Sequence, residues 1–243
     1  MVKFKIRRNK GRSWRDPVIV IAHRGASVYN PVDAISAMER AFEIGVDGVE
    51  IDLRMTRDGH IVVLHDERVK RGLKPVREMT LQEIRKFLGY KAVLTLEEVC
   101  EIFSNNAILM LDIKERGFEE RLVEIIEDFK MDKRVIACGT IHGALLKIKK
   151  LNGSIRIASS YSTASLETVE DAYLLGFDIY NPCYLNLKRE IVNQAHRLGM
   201  KVTTWIVDNP SDIKKVLNMR VDGLITDYPH IARSILASQR RRV

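Results

Sequence analysis

From Val18 to the C-terminus, short β-branched apolar runs alternate with longer amphipathic stretches, and this alternation limits the possible folds more than any other feature. The runs expected as strands are Val18–His23, Gly48–Met55, Ile61–His65, Ile108–Lys114, Arg134–Cys138, Ile155–Ser159, Phe177–Asn181, Lys201–Val207 and Gly223–Thr226. Their apolar content is nearly continuous, which suits parallel strands covered on both faces. Helix-like segments such as Leu81–Leu88 and Arg189–Leu198 lie between them. The chain has 243 residues and no Pro/Gly/Ser-rich linker. About eight βα units in that length predict an α/β fold, a (β/α)8 barrel in one domain. The ninth run, Ile61–His65, is expected to pair back onto the second strand across the Arg57-Asp-Gly-His60 turn. A doubly wound open sheet is the alternative, but its Gly-x-Gly-x-x-Gly fingerprint is absent.

A weak internal repeat supports the barrel. Gly45-Val-Asp-Gly-Val-Glu-Ile-Asp52 resembles Arg220-Val-Asp-Gly-Leu-Ile-Thr-Asp227, and Leu175-Gly-Phe-Asp-Ile-Tyr-Asn181 is a looser copy. Each reads as a helix end, a short turn and a buried strand.

The formal charge of +8 invites a nucleic-acid or membrane reading. Its location argues otherwise. Lys3, Lys5, Arg7, Arg8, Lys10, Arg12 and Arg15 crowd one end, and Arg240, Arg241 and Arg242 the other; without these ten, 30 basic residues face 32 acidic ones. The expected organisation is a basic extension over 1–16, a barrel over 17–239 and a basic tail over 240–243. The slightly acidic body argues against nucleic acid as a partner, while the basic ends suit weak association with anionic membranes. No apolar run approaches the ~20 residues of a membrane span, and no signal-peptide pattern follows the basic N-terminus. Cys100, Cys138 and Cys183 are too few and too scattered for a disulfide framework or a zinc motif. A cytoplasmic location is the resulting expectation.

In a barrel of this kind the chemistry belongs at the C-terminal ends of the strands. Four of those ends carry polar groups here: His23-Arg24-Gly25, Glu50-Ile-Asp52, His65-Asp66 and Asp112-Ile-Lys114. Residues i and i+2 of a strand share a face, so Glu50 projects with Asp52, and Asp112 with Lys114. Three converging carboxylates repel one another unless cations neutralise them. Oxygen-only ligands suit a hard divalent ion, Mg²⁺, Ca²⁺ or Mn²⁺. Two histidines can exchange protons near neutral pH, and Arg24 and Lys114 can meet phosphoryl oxygens. Each group also has a structural reading, as an internal ion pair or a cap. Their coincidence at four strand ends favours phosphodiester hydrolysis on a small molecule.

The same residues resemble the glycerophosphodiester phosphodiesterase (GDPD) family. The resemblance rests on His23-Arg24-Gly25, on Glu50-Ile-Asp52 with Thr56-Arg-Asp58-Gly59, on His65-Asp66 and on Leu111-Asp-Ile-Lys114. It continues through Val202-Thr-Thr-Trp205 and Val221-Asp-Gly-Leu-Ile-Thr-Asp227-Tyr-Pro229, in order along almost the whole domain. It implies that Glu50, Asp52 and Asp112 hold a divalent metal and that His23 and His65 are the catalytic acid–base pair. It further implies that Arg24 and Lys114 bind phosphate and that Trp205 lines the substrate pocket. The implied reaction is hydrolysis of glycerophosphodiesters to sn-glycerol 3-phosphate and an alcohol. A lysophospholipid substrate and a weakly active, degenerate barrel are the alternatives. Residues Glu67 to Leu94 form a short connection in place of the family's larger insertion, which implies a minimal barrel. Two positions depart from the family pattern: Val32 stands where a Glu is usual, and Asp112 where Glu is commoner.

Overall fold

A computed structural model describes residues 18–25, 34–103 and 107–240; Val32, Asp33 and most of the basic ends lie outside the described residues. Eight parallel strands form the sheet: β1 (Ile19–Ala22), β2 (Gly48–Met55), β4 (Ile108–Ile113), β5 (Val135–Gly139), β6 (Arg156–Tyr161), β7 (Ile179–Pro182), β8 (Lys201–Thr204) and β9 (Gly223–Thr226). They neighbour one another in chain order, and β1 closes the ring by pairing with both β2 and β9. The fold is therefore a (β/α)8 barrel, and closure excludes the open sheet. The ninth strand, β3 (Ile61–Val63), pairs antiparallel with β2, Met55 opposite Ile61 and Leu53 opposite Val63.

Both faces of each barrel strand are buried, which explains the continuous apolar runs. Inward side chains of Ile19, Ile21, Ile108, Met110, Ile136, Cys138, Ala158, Ile179 and Ile225 fill the barrel. Outward ones, such as Val20, Leu109 and Val202, pack under the helices in a larger cluster. Space at the bottom is tight. A Cβ on Gly48 would lie 2.5 Å from the Ile108 carbonyl oxygen, and one on Gly223 would lie 2.6 Å from Ile19 Cγ1.

The helices are α1 (Ala34–Ile44), α2 (Leu81–Leu88), α3 (Leu96–Ile102), α4 (Glu119–Asp128), α5 (His142–Leu151), α6 (Leu166–Leu174), α7 (Arg189–Arg197), α8 (Pro210–Asn218) and α9 (Pro229–Arg240). Capping boxes open α2, α3 and α6, at Thr80 with Glu83, Thr95 with Glu98 and Ser165 with Thr168. Each satisfies two otherwise orphaned backbone N–H groups. The connection after β3 is short but has its own small core of Val62, Val76, Met79, Leu81, Ile84 and Val93. Cys100, Cys138 and Cys183 are unpaired, and no helix among the described residues is long and apolar enough to cross a membrane.

The internal repeat has a structural cause. Its aspartates, Asp47, Asp178 and Asp222, each accept the backbone N–H of the preceding barrel strand, from Val20 at 2.8 Å, Ile157 at 2.8 Å and Val202 at 2.9 Å. A cation neutralises each one: Arg233 at 2.6 Å, Lys149 at 2.9 Å and Lys201 at 2.7 Å. The repeat therefore fastens the lower rim and leaves the upper rim free for chemistry.

Candidate active site

The inward columns that fill the barrel continue upward into polar groups. Ile19 and Ile21 lead to His23, Gly48 leads to Glu50 and Asp52, and Ile108 and Met110 lead to Asp112 and Lys114. The parallel register sets Asp52 beside Asp112, and Asp112 beside Cys138. His23, Arg24, Glu50, Asp52, His65, Asp112, Lys114 and Trp205 all line one cavity of about 250 Å³ at this mouth.

His23 opens a short 3-10 turn in which Arg24 has φ 48° and Gly25 φ 64°. A left-handed arginine is costly, and such conformations persist where the surroundings hold them. Here the Arg24 backbone N–H donates to Glu50 Oε2 at 3.2 Å, and its Nε lies 2.9 Å from Asp52 Oδ2. Gly25 has no alternative, because a Cβ there would lie 2.8 Å from Met38 Cγ.

Glu50, Asp52 and Asp112 bring carboxylate oxygens within 4.8 Å of one another. Lys114 Nζ bridges two of them, at 2.9 Å from Asp52 Oδ1 and 2.6 Å from Asp112 Oδ2. Glu50 is 4% exposed and lacks a comparable cation. Burial, reinforced by the charge of Asp52, pushes its carboxyl pKa up to about 8. Burial also raises Asp112, against the opposing pull of Lys114. The chain's own cations thus pair Asp52 and Asp112 but leave Glu50 without one, so its ionised form is disfavoured until another cation is bound. A close set of hard oxygen donors in that state fits a divalent cation.

The two histidines differ in setting. His23 is largely buried, with Nδ1 2.7 Å from Asp227 Oδ1 and Nε2 3.9 Å from Glu50 Oε2. Burial lowers its pKa but is outweighed by the Asp227 hydrogen bond and the Glu50 charge, so the net shift is upward. His65 is half-exposed, with Nδ1 2.8 Å from Asp66 Oδ1. Its carbonyl oxygen accepts from Arg54 Nε and Nη2 at 3.0 and 2.9 Å. Glu115 steadies Arg54 at 3.4 Å and accepts the Met55 N–H at 2.7 Å.

A model of the glycerophosphoryl diester phosphodiesterase family matches residues 23–231. The chain belongs to this family. A glycerophosphodiester phosphodiesterase of Caldanaerobacter subterraneus subsp. tengcongensis is 35% identical over 230 residues, 87% of this chain and 94% of its own. A glycerophosphodiester phosphodiesterase structure from Parabacteroides distasonis, 27% identical, superposes with a TM-score of 0.81 over 93% of this chain and 99% of its own. An Oleispira antarctica phosphodiesterase, seen in complex with the product sn-glycerol-3-phosphate, shares the fold at 21% identity and a TM-score of 0.76, covering 90% of this chain and 96% of its own.

Within this member of the glycerophosphoryl diester phosphodiesterase family, Trp205 packs on the inner barrel cluster and also lines the cavity, with Nε1 donating to the Asn181 carbonyl at 2.8 Å. The inward column Gly223, Ile225, Asp227 carries Asp227 to His23, a contact that sequence spacing alone did not assign. Asp208 positions it in turn, its Oδ1 accepting from Asp227 N at 2.8 Å and Thr226 Oγ1 at 2.9 Å. On β6 the inward serine is Ser160, two residues above the inward Ala158. Ser159 is turned away from the cavity and donates to the Ile179 carbonyl at 3.4 Å.

Proposed function

We propose that the chain hydrolyses glycerophosphodiesters to sn-glycerol 3-phosphate and an alcohol, with His23 and His65 exchanging the protons. That it is a glycerophosphodiester phosphodiesterase follows from its family membership and from relatives of that name that match nearly end to end. The observation that carries the finer reading is the meeting of two histidines, three carboxylates, Arg24 and Lys114 at one small cavity. The product complex of the Oleispira protein supports the same choice of product here.

Glu50, Asp52 and Asp112 would hold the divalent ion, Mg²⁺, Ca²⁺ or Mn²⁺. When bound, it supplies Lewis-acid polarisation of the phosphoryl group. The chain's own residues do the rest. Lys114 keeps one N–H beyond its two carboxylate partners, and Arg24 keeps several, so both can hold non-bridging phosphate oxygens. His23 presents Nε2 to the cavity because Nδ1 is committed to Asp227. One histidine takes the proton of the attacking oxygen and the other gives a proton to the departing alcohol oxygen, and overall one water is consumed.

The test is product analysis with glycerophosphocholine. Stoichiometric sn-glycerol 3-phosphate and choline, formed with Mg²⁺ and lost with EDTA, support the proposal. Phosphocholine and glycerol as products would contradict it.

A further inference from the structure

The cavity has two chemically different halves. The ends of β1 to β4 supply the ionisable groups, whereas the ends of β5 to β8 supply Cys138, Gly139, Thr140, Ser160, Asn181 and Trp205, none of them ionised at neutral pH. Ser160 and Asn181 face each other in the β6–β7 register and are only 8% and 2% exposed.

Hydrogen bonding gives this neutral half a direction. Thr203 Oγ1 donates to Asn181 Oδ1 at 2.7 Å, which fixes the amide with its oxygen toward β8 and its nitrogen toward β6. Asn181 Nδ2 then donates to Ser160 Oγ at 3.0 Å. Ser160 therefore accepts within the chain, and its own proton is left to donate. Among the described residues no acceptor takes it. A ligand that displaces water from this part of the cavity must offer an acceptor there, or it leaves a buried hydroxyl proton unpaired.

Charge and polarity narrow the ligand. An acyl chain would leave the Ser160 donor unpaired, and a quaternary ammonium offers no acceptor. A small, uncharged, hydroxyl-bearing group satisfies it, and the glycerol moiety of the substrate has that chemistry. We infer that the Thr203–Asn181–Ser160 relay is the glycerol-recognition element, with the Ser160 hydroxyl donating to a glycerol oxygen. This rests on the proposed reaction and adds to it an orientation: glycerol lies in the neutral half, and the departing alcohol leaves through the open mouth. Specificity then falls on glycerol rather than on the head group.

The experiment is equilibrium binding, by calorimetry in Mg²⁺ buffer, of sn-glycerol 3-phosphate and of inorganic phosphate to the wild-type protein and to Ser160→Ala. A lost hydrogen bond of ordinary strength predicts about tenfold weaker binding of sn-glycerol 3-phosphate. Inorganic phosphate should bind both proteins equally. Ser160→Thr, which keeps the hydroxyl, should recover most of the affinity. Equal weakening of both ligands, unchanged sn-glycerol 3-phosphate binding, or no binding of it by the wild type would overturn the inference. Failure of the proposed reaction is a separate outcome: wild-type protein that binds sn-glycerol 3-phosphate selectively but does not cleave glycerophosphocholine.

Discussion

Nδ1 of His23 lies 2.7 Å from Oδ1 of Asp227, a contact spanning 204 residues of sequence across the β1–β9 closure of the barrel. The hydrogen bond to His23 holds the Asp227 carboxyl below the usual aspartate range, so Asp227 is ionised and Nδ1 carries the proton. The tautomer is thereby fixed with Nε2 toward the cavity. Asp227→Asn should lower kcat by about 10²–10⁴, because the amide no longer holds the proton on Nδ1 and the tautomer is lost. KM and the melting temperature should change little. An unchanged kcat would remove Asp227 from the account.

The burial of Glu50 without a partner cation predicts a trade between stability and function. Its carboxyl is buried beside Asp52 and Asp112 and pushed up to about 8. Glu50→Gln removes the cost of burying and protonating this carboxyl, so at pH 7 the metal-free variant should melt above the metal-free wild type. Wild-type protein should gain melting temperature on adding Mg²⁺ or Mn²⁺ by mass action, and the variant should gain much less. Thermal scans with and without chelator check both statements.

The lower rim should matter for stability alone. Asp47 is nearly buried, accepts the Val20 N–H at 2.8 Å and meets Arg233 at 2.6 Å. Asp47→Ala leaves both donors unpaired and should cost about 2–3 kcal/mol of unfolding free energy. Urea unfolding measures this, and kcat of the folded fraction should be unchanged.

Glu98 offers a pH-dependent case. Burial raises its pKa, but the Thr95 N–H, the Tyr90 hydroxyl and Arg85 outweigh it and hold the carboxyl below the usual glutamate range. A depressed carboxylate stabilises the fold above its unfolded pKa and loses that contribution as pH falls through the folded value. Glu98→Gln should therefore be about 1 kcal/mol less stable than wild type at pH 7. The gap should close as pH falls below about 4. A gap independent of pH would contradict the assignment.

Much of this was legible in the sequence because local signals were strong. β2, α2 and β9 run where the apolar pattern predicts, bounded by Gly48, by the Thr80 cap and by Gly223. The β3 pairing followed from its turn. Strand ends were less legible: β7 begins at Ile179 rather than Phe177, because Phe177 packs with the outer cluster before the ladder starts. α9 begins at Pro229, where proline suits a first helical turn. The site residues that reasoning from sequence left unassigned, Asp227 and Ser160, depend on which face of a strand points inward. Adjacent serines at 159 and 160 make that parity unreadable until Ala158 is known to face the barrel interior. Alternation from Gly223 through Ile225 was the available signal for Asp227.

The central claim, that His23 and His65 carry the protons of one reaction at this mouth, is tested most directly by steady-state cleavage of glycerophosphocholine by the wild type, His23→Ala and His65→Ala. Each substitution should lower kcat by about 10²–10⁴, the usual span for general acid–base groups, with melting temperatures preserved. Either variant turning over at the wild-type rate would contradict the account.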